Sequence, residues 1–262
     1  MKVVILCGGY GTRIRDVADN LPKPMIPVGN YPIIWHIMKY YATLGHNEFI
    51  LCLGYKSNVI KDYFLNYEAR TTDFSITLGE KNSIKILNNH TEQNWKITFA
   101  ETGLDSMTGT RIKKIQKYIE PEETFMLTYG DGLSNVNINE LVSFHKIHGK
   151  ALTLTGVRPA GRFGEIMSDS KGEITEFKEK PEATKGRING GFFVASYSLF
   201  NFIDDSRDDV IFEQEPMKNL VEAKELMQFD HDGFWQPMDT MREYKMLNNM
   251  YSENKAPWKI WE

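Results

Sequence analysis

The sequence has few cysteines, no long hydrophobic run and no excess of basic residues, and each shortage excludes a class of protein. Its two cysteines, Cys7 and Cys52, lie in apolar segments, so neither a disulfide framework nor a zinc site with several spaced ligands is indicated. No apolar run is long enough to span a bilayer, so no membrane partner is expected. The formal net charge of −4 gives no reason to expect a nucleic-acid partner.

The rest of the composition is that of an ordinary globular protein. Hydrophobic residues make up 41% of the 262 residues and charged residues 25%, and no repeat, low-complexity segment or Pro/Gly/Ser-rich linker stands out. The first apolar segment is too short for a signal peptide. We therefore expect one domain over residues 1–262, located in the cytoplasm.

Short apolar segments alternate with helical patterns along the first part of the chain. Residues 3–7 and 48–53 read as buried strands, and residues 32–44 and 57–67 as helices, the second with Ser57 as its N-cap. This alternation predicts an α/β fold with a parallel sheet. Residues 68–100 break the rhythm and are predicted to form a small β-rich excursion that reaches a neighbouring subunit.

Three glycines, Gly8, Gly9 and Gly11, directly follow the first predicted strand. Glycine admits positive φ angles and lets a ligand approach the backbone closely. Arg13 offers a planar fork of donors to phosphate oxygens, and Lys23 stands between two prolines that restrict its loop. The pattern predicts a phosphate-binding turn, although G-G-x-G alone is also typical of a simple tight turn.

The spacing of this turn fits neither of two common phosphate-binding motifs. Ile14 stands where a dinucleotide-binding G-x-G-x-x-G needs its last glycine. No G-K-[S/T] follows to complete a Walker loop. A dinucleotide-binding fold and a P-loop are therefore both poorly supported.

Two aspartates stand at positions where a carboxylate has either a local or a functional role. Asp131 follows a predicted strand over residues 124–129, on the edge where parallel sheets bind ligands. Asp239 precedes a helix in which Thr240 and Glu243 are predicted to form a capping box. Each aspartate alone is also typical of a turn or a helix start. Taken together, they suit Mg²⁺, which binds one or two carboxylates plus substrate phosphates.

Two further segments carry candidate binding residues. Residues 101–111 form a turn-rich loop that enters a helix reaching about residue 119, and such a loop suits anions and exposes backbone N–H groups to a base edge. The alternative interpretation is an ordinary capped helix, with Asp105 or Ser106 as its N-cap. Residues 188–195 read as a strand whose paired glycines would let a sugar lie against the backbone. E-K-P at residues 179–181 follows a predicted hairpin, and most such triplets are charged surface turns.

The motifs L-C-G-G-Y-G-T-R-I, P-K-P-M, T-Y-G-D-G, E-K-P, I-N-G-G-F-F-V and F-W-Q-P-M-D-T together resemble the sugar-1-phosphate nucleotidyltransferases over nearly the whole chain. Within that family the resemblance is closest to the cytidylyltransferases. It implies a Rossmann-like, mostly parallel mixed sheet flanked by helices, Mg²⁺ as cofactor, and CTP and glucose 1-phosphate as substrates. The implied products are pyrophosphate and CDP-glucose for dideoxysugar and surface-polysaccharide synthesis. A homo-oligomer, with a hexamer as one candidate, is also implied.

The resemblance assigns a role to each matching residue. Arg13 and Lys23 are implied as catalytic cations, and Asp131 and Asp239 as metal ligands. The implied nucleotide-binding residues are Leu6, Cys7, Gly8, Gly9, Tyr10, Gly11, Thr12, Arg13, Lys23, Ser106, Arg111 and Gly130. The implied sugar-phosphate-binding residues are Gly164, Glu179, Lys180, Asn189, Gly190 and Trp235. The domain then has a nucleotide half, about residues 1–135, and a sugar-phosphate half, about residues 136–262.

Two alternative functions stay open from the sequence. The first is the same chemistry with another nucleoside triphosphate or another phosphorylated acceptor. The second is a regulatory protein that binds a nucleotide sugar without turning it over. The presence of Arg13, Lys23, Asp131 and Asp239 argues against the second alternative, because a protein that only binds is free to lose them.

Overall fold

A computed structural model describes residues 1–11, 20–81, 83–158, 165–168, 173–178 and 186–261. In chain order the strands and helices are β1 (Lys2–Leu6), β2 (Pro27–Val28), β3 (Tyr31–Pro32), α1 (Ile33–Thr43), β4 (Glu48–Leu53), α2 (Ser57–Leu65), α3 (Tyr67–Thr71), β5 (Phe74–Ser75), β6 (Lys85–Ile86), β7 (Lys96–Glu101), α4 (Thr108–Lys114), β8 (Phe125–Tyr129), β9 (Gly132–Ser134), α5 (Ile138–His148), β10 (Leu152–Val157), β11 (Glu165–Ser168), β12 (Ile174–Lys178), β13 (Ile188–Ala195), α6 (Glu215–Glu222), β14 (Leu226–His231), β15 (Trp235–Pro237) and α7 (Met241–Ser252).

Within the described residues, seven strands form the central sheet, in the order β14-β10-β13-β8-β1-β4-β7. Strands β8, β1, β4 and β7 run parallel to one another, and β10 runs parallel to β14. Strand β13 is antiparallel to both of its neighbours, β8 and β10. The predicted Rossmann-like, mostly parallel mixed sheet is therefore confirmed.

Both faces of the sheet are covered by helices, because its strands are apolar on both sides. In β1, Val3 and Ile5 join one hydrophobic core, whereas Val4 and Leu6 join the other. Helices α1, α2, α5 and α7 contribute to the first core, and α4 and α6 to the second. Strands buried on both faces are typical of parallel sheets. In the part of the chain described here, no helix has the length and apolarity needed to cross a membrane.

The starts of three helices test the predicted caps. The capping box of Thr240 and Glu243 is present at α7, as predicted. Ser57 does not cap α2: the N-cap is Lys56, in a left-handed conformation with φ of 51°. Neither predicted residue caps α4, which starts after Met107 without a side-chain cap.

The prediction for the start of α4 was wrong because a distant carbonyl group performs the capping. The backbone N–H groups of Gly109 and Thr110 donate to the carbonyl oxygen of Val210, at 2.8 and 3.2 Å. A carbonyl oxygen from elsewhere in the chain satisfies these first N–H groups as well as a local side chain would. Such a contact leaves no pattern near the helix in the sequence.

The excursion predicted over residues 68–100 is smaller than expected. Strands β5 and β6 form an antiparallel hairpin within it. Strand β7, predicted as part of the excursion, instead forms an edge of the central sheet, parallel to β4. Its side chains explain the difference, since Ile97 and Phe99 pack against one core and Ala100 belongs to the other. Contact with a neighbouring subunit stays a prediction.

A buried ion pair joins the end of this excursion to the body of the protein. The Lys39 ammonium on α1 donates to Glu92 at 2.6 Å, and the Tyr67 hydroxyl donates to the same carboxylate at 2.9 Å. Lys39 is 9% exposed and Glu92 is 8% exposed. Losing one partner of such a pair is costly, because a buried charge is left uncompensated.

Two histidines are buried in positions that disfavour their charged form. His36, on α1, and His145, on α5, are almost completely buried. Burial lowers the pKa of each to about 4, from an ordinary value of 6.5. The neutral His145 ring is hydrogen-bonded to Thr153 Oγ1 at 2.8 Å and to Ser196 Oγ at 3.0 Å.

These histidines predict acid sensitivity of the fold. Below pH 6.5 the unfolded chain takes up a proton at each site, whereas the folded protein stays neutral there until about pH 4. The unfolding free energy should therefore fall between pH 6.5 and 4, by up to about 3 kcal/mol per histidine. Urea unfolding across this interval checks it. His145→Gln should show a smaller fall than the unchanged protein, and equal falls would contradict the assignment to His145.

Candidate functional site

The carboxyl ends of β1, β4, β7 and β8 meet at one edge of the sheet and surround a cavity of about 420 Å³. The glycine turn after β1 lines one side, and the segment Leu104–Thr108 lines another. The cavity brings together twelve residues predicted from the sequence: Leu6, Cys7, Gly8, Gly9, Tyr10, Gly11, Lys23, Ser106, Arg111, Gly130, Asp131 and Asp239. Residues predicted from separate segments thus share one concave surface.

A second cavity, of about 250 Å³, adjoins the first. It is lined by three residues predicted to bind the sugar phosphate, Asn189, Gly190 and Trp235. Asp131 and Asp239 line both cavities. The two aspartates therefore lie where a ligand in one cavity would meet a ligand in the other.

Some predicted site residues lie outside the described part of the chain. They are Thr12, Arg13, Gly164, Glu179 and Lys180. Their assignments stay predictions from the sequence.

A short two-stranded ribbon explains why the two aspartates converge. Strand β9 pairs antiparallel with β15, so that Gly132 lies opposite Pro237. Asp131 immediately precedes β9, and Asp239 is the second residue after β15. The Met238 N–H donates to the Asp131 carbonyl oxygen at 2.9 Å, which joins the two segments at this point.

The backbone next to Asp239 is held in turn by the start of α7. Glu243 accepts hydrogen bonds from the N–H groups of Asp239 at 2.7 Å and Thr240 at 2.9 Å. The Glu243 N–H donates back to Thr240 Oγ1. The capping box therefore has two effects: it satisfies the helix start and it orients the strand end that carries Asp239.

The Lys23 ammonium connects the two carboxylates. Its Nζ donates to Asp131 Oδ2 at 2.6 Å and to Asp239 Oδ1 at 2.5 Å. Burial alone would lower the pKa of Lys23, but the negative charges and hydrogen bonds of the two aspartates outweigh it and raise the pKa. Lys23 is therefore a firmly charged cation at the boundary of the two cavities.

Close backbone approaches hold the Lys23 segment against β1 and β8. A Cβ on Gly130 would lie 2.9 Å from the Leu6 carbonyl oxygen and 3.2 Å from Pro24. Gly11 has a φ of +60° and packs against the Lys23 side chain. A Cβ added to Gly11 would lie 3.1 Å from the Cβ of Lys23. A larger residue at Gly130 would therefore collide with the backbone at the end of β1 and crowd the Pro24 ring.

The carboxylate pair suits a divalent cation. Each aspartate directs an oxygen at the same positively charged nitrogen, so the pair already converges on one cation. Among the described residues, no cluster of three or more His, Cys, Asp and Glu side chains could form a more complete metal cage. Two carboxylates with the remaining positions left to water and phosphate oxygens match the preference of Mg²⁺.

Arg111 lies behind the glycine turn, where it joins the ends of three strands. One nitrogen, Nη1, donates to the carbonyl of Leu53, the last residue of β4, at 2.9 Å. It also donates to Thr102 Oγ1 and the Gly103 carbonyl after β7, both at 2.7 Å. The other, Nη2, donates to the carbonyls of Gly8 and Leu104, both at 3.1 Å. These five acceptors are neutral, and burial lowers the Arg111 pKa from its ordinary value.

The position of the Arg111 guanidinium explains why residues 8 and 54 are glycines, and it gives Arg111 a structural role beside its predicted nucleotide binding. A Cβ on Gly8 would lie 2.3 Å from the guanidinium carbon, and one on Gly54 would lie 2.6 Å from Nη1. Arg111 lines the first cavity but is only 4% exposed. Its hydrogen bonds hold the glycine turn and the loop after β7 in place. A direct contact with nucleotide stays a prediction.

Two residues at the boundary of the cavities escaped the sequence analysis. Tyr129 lines both cavities, and its hydroxyl donates to the Glu213 carboxylate. Thr108 Oγ1 donates to the other Glu213 oxygen at 2.8 Å, and Asn189 Nδ2 donates to the Tyr129 hydroxyl at 3.4 Å. Tyr129 could have been found from its place in T-Y-G-D-G, whereas Glu213 lies in a loop without a recognisable pattern.

Comparison with known proteins gives a consistent result. A family model described as nucleotidyl transferase matches residues 2–254. The glucose-1-phosphate cytidylyltransferase of Salmonella typhi is 45% identical over 262 residues, 100% of both chains. A probable glucose-1-phosphate cytidylyltransferase of Bacillus subtilis is 44% identical over 100% of both chains. A solved UDP-glucose pyrophosphorylase in complex with UDP-glucose has a TM-score of 0.69 at 16% identity, covering 97% of this chain and 98% of that one, which supports the fold alone.

The contacts of Arg111 predict a large structural cost for its loss. Arg111→Gln would leave several buried carbonyls without a donor, so the unfolding free energy should fall by at least about 2 kcal/mol. Urea unfolding measures the change. The matched control is Lys117→Gln, which removes an exposed cation close by and should change stability by less than about 0.5 kcal/mol. Equal effects of the two changes would contradict the role given to Arg111.

Proposed function

This chain belongs to the nucleotidyl transferase family, and we propose that it is a glucose-1-phosphate cytidylyltransferase. In the proposed reaction a phosphate oxygen of glucose 1-phosphate attacks the α-phosphorus of CTP. Pyrophosphate leaves, and CDP-glucose is formed. The choice of CTP and glucose 1-phosphate follows the names of the full-length relatives, at 44 and 45% identity.

The observation that carries the proposal is the sharing of Asp131 and Asp239 by two adjoining cavities. A transferase needs both substrates bound at once, with their reacting atoms adjacent. A protein that only binds a nucleotide sugar has no need for two carboxylates and a lysine where the two cavities meet. The positions of Lys23, Asp131 and Asp239 therefore favour catalysis over binding alone.

The chemistry requires charge stabilisation rather than a general base, because the attacking phosphate is already an anion. Two polyanions must approach each other, and charge develops on the reacting phosphorus and on the leaving pyrophosphate. Fixed positive groups reduce both costs when they are held in place before the reaction. Lys23, which lines the first cavity beside the glycine turn, is the cation we assign to the reacting phosphate.

Enzymes of this family generally use a divalent metal ion, and we assign Mg²⁺ here. Asp131 and Asp239 would hold it. When bound, it would supply positive charge to the phosphate oxygens that the reaction makes more negative. The ribbon of β9 and β15 brings the segments that carry the two carboxylates together.

The two cavities divide the substrates between them. We assign the nucleotide to the larger cavity, where the glycine turn exposes backbone N–H groups to phosphate oxygens. We assign the sugar phosphate to the smaller one, beside the amide of Asn189 and the Trp235 ring. Trp235 Nε1 donates to the Gly190 carbonyl at 2.6 Å, which fixes the ring there.

Three further roles are proposed from sequence motifs alone, because the residues lie outside the described segments. Arg13 would hold the departing phosphates. Lys180 would bind the phosphate of the incoming sugar, and Glu179 a sugar hydroxyl. These roles follow from the family motifs G-G-Y-G-T-R and E-K-P.

The proposal also covers organisation and context. We propose one domain with a nucleotide half and a sugar half, a cytoplasmic location, and a homo-oligomer. The oligomer is supported by the β5–β6 hairpin, where Ile76, Leu78 and Leu87 each expose more than half of their surface. CDP-glucose made here would serve dideoxysugar and surface-polysaccharide synthesis.

A substrate panel tests the proposed function. Purified protein is incubated with Mg²⁺, each of the four common nucleoside triphosphates and several sugar 1-phosphates, and pyrophosphate release is followed. We expect release with CTP and glucose 1-phosphate and little with other pairs. Release only with another pair would establish the same chemistry with different substrates. Binding of CDP-glucose without any release would overturn catalysis in favour of a regulatory binding protein.

A further inference from the structure

The Lys23 ammonium lies where the two aspartates converge. Its Nζ contacts an oxygen of Asp131 and an oxygen of Asp239, at 2.6 and 2.5 Å. These are the carboxylates that the proposed function gives to the divalent ion. One lysine therefore bonds to the same acceptors that the metal would need.

We propose that Lys23 is the resident cation of this carboxylate pair and competes with the divalent ion for it. The metal then binds well only after the phosphates of the nucleotide have drawn the Lys23 ammonium away from the aspartates. This inference rests on the proposed function, because it takes Asp131 and Asp239 as the metal ligands. It adds an order of binding: the metal enters with the nucleotide and not before it.

The surroundings of Lys23 disfavour simultaneous binding of its ammonium and a divalent ion to the same two carboxylates. Its side chain is 13% exposed, so little water screens the repulsion between an ammonium and a divalent ion held by the same oxygens. The ammonium also satisfies two carboxylates that would otherwise repel each other at the junction of the cavities. A cation is therefore required there at all times, and the lysine supplies it without an external ion.

The displaced ammonium would move towards the larger cavity. Lys23 lines the larger cavity together with the glycine turn, where the nucleotide phosphates are assigned. Pro22 and Pro24 restrict the backbone on both sides, so we expect the exchange to occur by rotations of the four-carbon side chain. A phosphate that enters the cavity offers new anionic acceptors and leaves both carboxylates free.

The test measures metal affinity in the absence of nucleotide, with Mn²⁺ as a spectroscopic probe for the divalent ion. Free Mn²⁺ is followed by electron paramagnetic resonance during titration of the protein. Lys23→Met removes the charge and keeps much of the side-chain length, and we expect it to lower the Kd for Mn²⁺ by about tenfold or more. Lys23→Arg keeps the charge and should bind Mn²⁺ as weakly as the unchanged protein.

A double variant separates this inference from the proposed function. Adding Asp131→Asn to Lys23→Met should abolish the gain in Mn²⁺ affinity. If Lys23→Met binds no more tightly than the unchanged protein, the competition is refuted, while turnover of CTP and glucose 1-phosphate still supports the function. If the double variant keeps the full gain, Asp131 is not a ligand, and both the metal assignment and this inference fail. Urea unfolding of each variant confirms that it is folded.

Discussion

The contact of one ammonium with two carboxylates is the interaction on which the site depends. Lys23 follows the first strand, Asp131 lies 108 residues further along the chain, and Asp239 lies 216 residues from the lysine. The paired strands β9 and β15 bring the aspartates together, and Gly130 packs closely against Pro24, the residue after the lysine. The described residues that we assign to the substrates line the two cavities that meet at this contact.

Two arginines donate hydrogen bonds to carbonyl groups at the carboxyl ends of strands in the central sheet. Arg111 gathers the ends of β1, β4 and β7 by donating to their carbonyl groups and to a neighbouring hydroxyl. Arg187, just before β13, donates to the carbonyl groups of Gly156 at the end of β10 and His231 at the end of β14. Strand ends leave carbonyl groups without partners, and a guanidinium with five donors can satisfy several of them at once. In both halves, an arginine thus joins the ends of neighbouring strands.

Local patterns in the sequence were enough to predict β1, β4, β8 and β13, the helices α1 and α2 and the capping box of α7, because those features depend on neighbouring residues. The short paired strands β9 and β15 were not predicted. The placement of β7 in the excursion was wrong, because this strand pairs with β4 in the central sheet. The predicted N-caps of α2 and α4 were also wrong, because a left-handed Lys56 and the Val210 carbonyl occupy those roles. Family motifs picked out Lys23, Asp131 and Asp239, but only the fold shows that they touch. Glu213 could not have been found, because its contacts with Tyr129 and Thr108 join segments 84 and 105 residues apart.

The central claim is that two carboxylates from distant segments act on one cation during phosphoryl transfer, and steady-state kinetics of two variants tests it most directly. Asp131→Asn and Asp239→Asn keep the size of each side chain and remove its charge. The account predicts that each lowers kcat by at least about 10²-fold with CTP and glucose 1-phosphate, with unfolding temperatures close to that of an Asp205→Asn control. Near-normal rates in both variants would contradict it.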